Sequence, residues 1–156
     1  MSCDNATDSQ AIRNLIERQF RAMSWRDGGP PDATAFSDDF HHEARLYPAA
    51  RPVRPQSVDA FLERMTTLAG SSLTAFEEEV EGTHVRVFGN VAVAVVVCAA
   101  IENHKEVTRN VEMMLLVRDE GRWRIVAQAW DGASGSRAIP PDLVSAEAQG
   151  NVRTSG

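Results

Sequence analysis

Four segments of alternating apolar residues, joined only by tight turns, constrain this chain more than any other feature. They are Phe76 to Phe88, Val91 to Glu102, Glu106 to Val117 and Arg122 to Trp130. Val and other apolar residues recur at every second position, the period of a strand with one face buried. Gly89-Asn90 between two such runs is a two-residue hairpin signal, with Gly in the first position as a type II′ turn needs. Asn103-His104-Lys105 and Asp119-Glu120-Gly121 mark the next two reversals. The apolar phase slips inside the first strand: Phe76 and Val80 are even, Val85 and Val87 odd. A β-bulge near Gly82 accounts for the slip and bends the sheet. The second strand is apolar in both phases, so it is expected to be covered on both faces.

The segments before the sheet have helical period. Asp8 or Ser9 can cap a helix to about Trp25, with Ile12, Leu15, Ile16, Phe20 and Met23 on one face. Gln19 lies on that same face, either as a satisfied core amide or as a polar group facing a cavity. A short helix is expected over about Asp32 to Phe40, then a brief strand Arg45 to Pro48. Ser57 caps a helix to Ala69 that Gly70 stops. Residues 9–132 read as one domain. Residues 1–8 are expected to be a disordered tail, and residues 133–156, with Pro140-Pro141, a largely mobile extension.

A net charge of −6 and a pI near 5.2 argue against nucleic acid or an anionic membrane as partner, since both need a basic footprint. Cys3 and Cys98 make no disulfide framework and read as free thiols in a reducing compartment. With no apolar run long enough for a signal peptide or a bilayer span, a cytoplasmic location is expected.

Few chemical motifs stand out. His41-His42-Glu43 offers ligand types, but neighbours in extended chain point apart, so no metal site and no cofactor is expected. Glu77-Glu78-Glu79 reads as a solvated edge. Arg45 and Arg109 either hold an anionic or carbonyl-bearing ligand or pair with Glu residues across strands. There is no Gly-rich phosphate loop, no Gly-x-Ser-x-Gly elbow and no Cys-x-x-Cys pair.

The order helix, helix, short strand, helix, four long antiparallel strands is an α+β pattern. With the helix Ala11 to Met23, the segment Phe36-Ser37-Asp38-Asp39-Phe40 before Ala44-Arg45-Leu46-Tyr47-Pro48, and the ending Asp119 to Trp130, the chain resembles the NTF2-like superfamily. That superfamily includes ketosteroid isomerase and SnoaL-type cyclases. The resemblance implies an NTF2-like (cystatin-like) cone: three N-terminal helices packed on a curved, mainly antiparallel sheet, with an apolar pocket open at one end.

It also implies which residues line that pocket. A four-residue loop Arg118 to Gly121 pairs Val117 with Arg122 and sets Arg109, Val111 and Met113 beside Val126, Gln128 and Trp130. A three-residue loop, Asp119 to Gly121, reverses the faces. The first register is preferred because a Trp ending the last strand lines the pocket in ketosteroid isomerase. That enzyme's carboxylate base, donor tyrosine and protonated acid fall at Tyr47, Gln19 and Met113 here, so its proton abstraction does not carry over. In the preferred register Val93, Val95, Met114, Leu116, Trp123, Ile125 and Ala127 form an apolar outer face. A second copy of the chain is expected to cover it, giving a homodimer through the outer sheet face; the alternative is the C-terminal tail, whose Ile139, Leu143 and Val144 are too sparse.

Three functions remain. The first is a domain that binds a small, mostly apolar organic molecule in the cone, with Gln19, Arg45, Tyr47, Arg109 and Gln128 orienting it against Val111, Met113, Val126 and Trp130. The second is a cofactor-independent isomerase, cyclase or dehydratase with Tyr47 as acid/base, aided by His42 or Asp131. The third is a dimeric interaction protein with a vestigial pocket.

Overall fold

The computed structural model describes residues 2–27 and 29–144, with side chains from Asn5 onward. The elements are α1 (Ser2–Ala22), α2 (Ala33–Asp38), β1 (Phe40–Tyr47), β2 (Gln56–Ser57), α3 (Val58–Ala69), β3 (Phe76–Phe88), β4 (Val91–Glu102), β5 (Glu106–Asp119) and β6 (Arg122–Gly132), then a 3-10 turn at Pro141–Leu143. Six strands make one mixed sheet in the order β2-β1-β6-β5-β4-β3. Only β1 and β6 run parallel; the other neighbours are antiparallel. The fold is α+β with a curved sheet. Its helices are not consecutive, because β1 and β2 come between α2 and α3.

The helices form where their caps and stripes direct. Asp32 accepts from the Ala35 amide at the start of α2, and Ser57 from the Ala60 amide at the start of α3. Gly70 ends α3. α1 begins earlier than the sequence reading places it, inside the stretch expected to be a disordered tail. Asp8 is held there by Arg118 at 2.8 Å and by the Trp123 indole N–H at 3.1 Å. Ile12, Leu15, Ile16, Phe20 and Met23 of α1 are buried with Val58, Leu62 and Met65 of α3 against one face of the sheet. That inner face carries Ala92, Ala94, Val96 and Cys98 of β4, Met114 and Leu116 of β5, and Trp123 and Ile125 of β6.

The hairpins fix the register. Gly89 has φ of 57° in the two-residue β3–β4 turn, where Phe88 pairs with Val91. The expected bulge is present: pairing shifts between Val80 and Gly82. The β5–β6 turn is shorter than either loop considered, since Asp119 pairs with Arg122. Glu120 has φ of 51° and Gly121 has φ of 73°. Two successive positive φ values are the signature of a type I′ turn. A second bulge, at Val126, then changes the pairing between Leu115 and Leu116.

This bulge overturns the expected faces. Beyond it Met114 pairs with Gln128, Glu112 with Trp130 and Met113 with Ala129. Because Val126 is the extra residue, Trp123, Ile125, Gln128 and Trp130 all lie on the inner face. Met114, Leu116, Trp123 and Ile125 therefore belong to the core and not to an apolar outer surface. Val111 and Met113 point outward, and Met113 is 57 % exposed.

The C-terminal extension is placed as far as Val144. Ser134 and Arg137 close a tight turn, and the chain then crosses the outer sheet face until the Leu143 carbonyl meets His84 Nε2 at 3.1 Å. Val97 and Ala99, on the outer side of β4, are buried. Val91, Val93 and Leu115, toward the other end, are close to half exposed. The expectation of mobility beyond Val144 lies outside the described residues. Among the described residues no helix is long and apolar enough to cross a membrane.

Candidate functional site

Two voids flank β5 and β6, one on each face. The inner one is built by even-numbered positions of β3, β4 and β5, opposite α1. Glu78 and Glu112 line it and Cys98 meets them at its wall, because Val80 pairs with Cys98, Glu78 with Ala100 and Glu112 with Val96. The Cys98 thiol donates to Glu112 Oε2 at 3.3 Å and approaches Glu78 Oε2 at 3.8 Å. Gln128 Nε2 donates to Glu112 Oε1 at 2.8 Å, and Gln19 Nε2 to Gln128 Oε1 at 2.8 Å. Gln19, Gln128 and Glu112 are all buried, as is Cys98.

Phe20, Met23, Phe36, Leu46, Phe61 and Trp130 complete the wall, and Phe61 meets Trp130 edge-on at 5.6 Å. The void left is only about 20 Å³. That is room for a single water molecule. Burial pushes the Glu112 carboxyl up to about 7, against hydrogen bonds from Gln128 and Cys98 that favour its charge. Glu78 is raised too, by burial first and then by the charge of Glu112. Burial and the two carboxylates likewise push the Cys98 thiol, beside this pocket, up and hold it protonated.

The outer void is about 500 Å³. Its floor is Val111 and Met113 of β5 with Ala129 of β6. Its walls are Tyr47, Pro48, Arg51 and Val53 on one side and Ile139, Pro140 and Leu143 of the C-terminal strap on the other. Tyr47 pairs with Ala129, which sets it on the outer face. Asp131 and Arg137 are ion-paired at 2.9 Å at its edge. Arg51 donates to the carbonyls of Pro48, Ala49 and Ala50, holding its own loop in shape. Trp130 lines both voids.

The residues singled out from sequence are thus divided. Gln19, Gln128 and Trp130 line the inner void; Tyr47, Val111, Met113, Trp130 and Asp131 line the outer one. Val126 is the bulged residue and lines neither. Arg45 is exposed and donates to the carbonyls of Glu43 and Ala44. Arg109 is bound by Glu81 at 2.8 Å on the sheet surface, which raises its pKa. His42 is also apart from Tyr47 and Asp131. It lies further back along β1, in an open groove with Asp119, Glu120 and Arg124. Of the two helpers expected for Tyr47, Asp131 lines the same void and His42 does not.

Two further expectations change. His41 and His42 do not point apart: β1 is irregular between Phe40 and Arg45, and their rings lie 4.2 Å from each other. Glu78 is no part of a solvated run, since its carboxylate reaches the buried thiol. The inward acid at the level of Met113 is its neighbour Glu112. The sequence signal for Glu78, Cys98 and Glu112 is a shared even parity across three strands, visible only once the bulges are counted.

The fold is that of NTF2-like proteins. A putative scytalone dehydratase from Novosphingobium aromaticivorans superposes with a TM-score of 0.70 at 12 % identity, covering 94 % of this chain and 98 % of that one. An NTF2-like protein of unknown function from Pseudomonas putida gives 0.66 at 19 %, covering 88 % and 96 %. A putative dehydratase of the NTF2-like family from Streptomyces avermitilis gives 0.67 at 12 %, covering 83 % and 99 %. Residues 7–131 match the family described as putative lumazine-binding, and the chain belongs to that family. Comparison with curated proteins gives no match.

Proposed function

We propose that this protein binds a small, mostly apolar organic molecule with a flat aromatic or heteroaromatic ring, and that the ligand sits in the outer void. The carrying observation is the void of about 500 Å³ between an apolar floor and a strap, with few polar groups at its edge. Both its size and its lining fall within the usual range of ligand pockets. The inner hollow, where the resemblance put the pocket, has room for one water molecule and no more. The family description, putative lumazine-binding, supports a ring-shaped ligand.

The test is calorimetric titration with lumazine and with a set of apolar aromatic acids. Binding of at least one probe is expected, lost at least tenfold in Ala129→Trp, which fills the floor, and kept in Cys98→Ala, which alters only the inner hollow. Loss in Cys98→Ala with retention in Ala129→Trp would move the ligand to the inner face.

The isomerase or dehydratase reading has one supporting observation, the near-neutral carboxyl of Glu112. Tyr47 lies on the other side of the sheet, so Glu112 and not Tyr47 would be its acid/base. Turnover abolished by Glu112→Gln and spared by Tyr47→Phe would establish it. We also propose a homodimer through the part of the outer face that the strap leaves open, where Val91, Val93 and Leu115 stand exposed. Light scattering should show a dimer that Leu115→Arg splits.

A further inference from the structure

We propose that Glu78, Cys98, Glu112 and the side-chain oxygen of Gln19 form a site for a single thiophilic divalent metal ion of the zinc class, at the wall of the inner hollow where Cys98 meets the two acids. One ligand atom from each of Glu78, Cys98 and Glu112 lies within 4.8 Å of the others. The thiol stands 3.3 Å from one carboxylate oxygen and 3.8 Å from the other. A tetrahedral ion with a metal–sulfur bond of about 2.3 Å and a metal–oxygen bond of about 2.0 Å holds such atoms roughly 3.5 Å apart.

Gln19 supplies the independent observation. It is 2 % exposed, and its Oε1 has no partner among the described residues while lining the same void as Glu78 and Glu112. The hydrogen-bond order dictates which atom is left over. In the ionised form that a metal ion would hold, the Glu112 carboxylate can only accept, so Gln128 turns its amide nitrogen to it. Gln128 Oε1 then accepts from Gln19 Nε2, and Gln19 Oε1 is left facing the void. Orphaned buried oxygens are costly, and the void has the size of one water or one ion.

Charge favours the ion. Two carboxylates meet in a hollow whose lining contains no Lys, Arg or His. A positive charge placed between them offsets what neither amide can. The thiol selects a zinc-class ion over magnesium or calcium, which take oxygen ligands. Gln128 is then an outer-shell group that orients Glu112.

Cobalt(II) is the probe for the chelator-treated protein. One equivalent should bind with a thiolate-to-cobalt charge-transfer band in the near ultraviolet, and zinc should displace it. Cys98→Ser should remove the band. Glu78→Gln and Gln19→Leu should each weaken binding tenfold or more, and the double variant His41→Ala, His42→Ala should leave it intact. Absence of saturable cobalt binding to the wild-type protein means that the void holds water only, and overturns the proposal. So does a cobalt spectrum without the thiolate band, or a band lost in the double histidine variant. A band that survives Cys98→Ser overturns it as well, since the chain's other thiol, Cys3, would then supply it.

Discussion

The two sides of β5 and β6 carry opposite kinds of void. The inner one is about 20 Å³, polar at its centre and closed by Phe61 and Trp130; the outer one is about 500 Å³, apolar on its floor and roofed by a strap. The same strands supply both, one parity to each face. The difference shows how a sheet that is covered twice divides its work. The helix-covered face, packed by large side chains, keeps only a small polar pocket. The face covered by a thin strap retains space for a molecule. Trp130, which lines both voids, is the partition between them.

The sharpest way to break this comparison is to trade neighbours on β5. Leu116 is fully buried on the inner face, while Leu115 is 45 % exposed on the outer. Leu116→Ala should lose about 2–5 kcal/mol in urea unfolding, through lost transfer energy and the cavity left behind. Leu115→Ala should cost about 1 kcal/mol or less. Equal losses would mean that the face assignment is wrong.

The next effect follows from the inner acid. Glu112 has its pKa raised from 4.5 to about 7. An acid raised on folding is protonated more readily in the native state, so stability falls as pH rises from about 4.5 through 7 and then levels off. The fall is roughly 3 kcal/mol, at about 1.36 kcal/mol for each unit of pKa. In metal-free protein held in chelator, Glu112→Gln should reduce this slope between about pH 5 and 8, because Gln keeps an acceptor for Gln128 and cannot ionise, and should leave only the part due to Glu78, whose carboxyl burial also raises. A thermal-unfolding midpoint series across that range reads it. A slope unchanged in the variant would place the ionisation elsewhere.

The strands were legible from sequence because their period and turns agree. β3 and β4 run over the expected residues, and the Gly82 bulge announced itself as a phase slip between Val80 and Val85. Cap residues placed α3 in the same way, Ser57 at its start and Gly70 at its end. The faces of β5 and β6 were not legible. The run Trp123-Arg124-Ile125-Val126-Ala127-Gln128-Ala129-Trp130 reads as unbroken alternation, with apolar residues in both phases around Val126. Nothing local marks the extra residue there. The signal lies across the sheet: Leu116 and Ile125 pair on one side of the shift, Leu115 and Ala127 on the other. One uncounted residue was enough to send Met113 inward and Glu112 outward. The strap was missed for a different reason. Three sparse apolar residues looked too few to cover the outer sheet, yet a single extended segment covers part of it, pinned near its end by His84.

A smaller effect tests the turn that sets the register. Gly121 has φ of +73°, and a Cβ there would meet nothing within 4 Å. Gly121→Ala is therefore a backbone penalty alone, about 1 kcal/mol. It should lower the unfolding midpoint slightly and leave both voids intact, seen as unchanged cobalt and aromatic-probe binding.

The smallest expected change in stability is at the strap. Arg137 and Asp131 pair at 2.9 Å, but their side chains are 63 % and 52 % exposed. Water and salt therefore screen the pair. Arg137→Ala should shift unfolding by about 0.5 kcal/mol or less. Its effect on the outer void should be larger in proportion. The same guanidinium also donates to the Gly132 carbonyl at 3.4 Å, so it ties the returning strap to the end of β6. Without it the turn at Ser134 keeps its backbone pair to Arg137 and the Ser134–Ser136 hydroxyl contact, but the wall made by Ile139 and Pro140 loses one of its anchors. Aromatic-probe affinity should fall severalfold, while cobalt binding and its thiolate band stay as in the wild type. If affinity for the aromatic probe is unchanged, the strap does not roof the ligand. If the cobalt band moves instead, the two voids are coupled through Trp130, and the partition drawn between them fails.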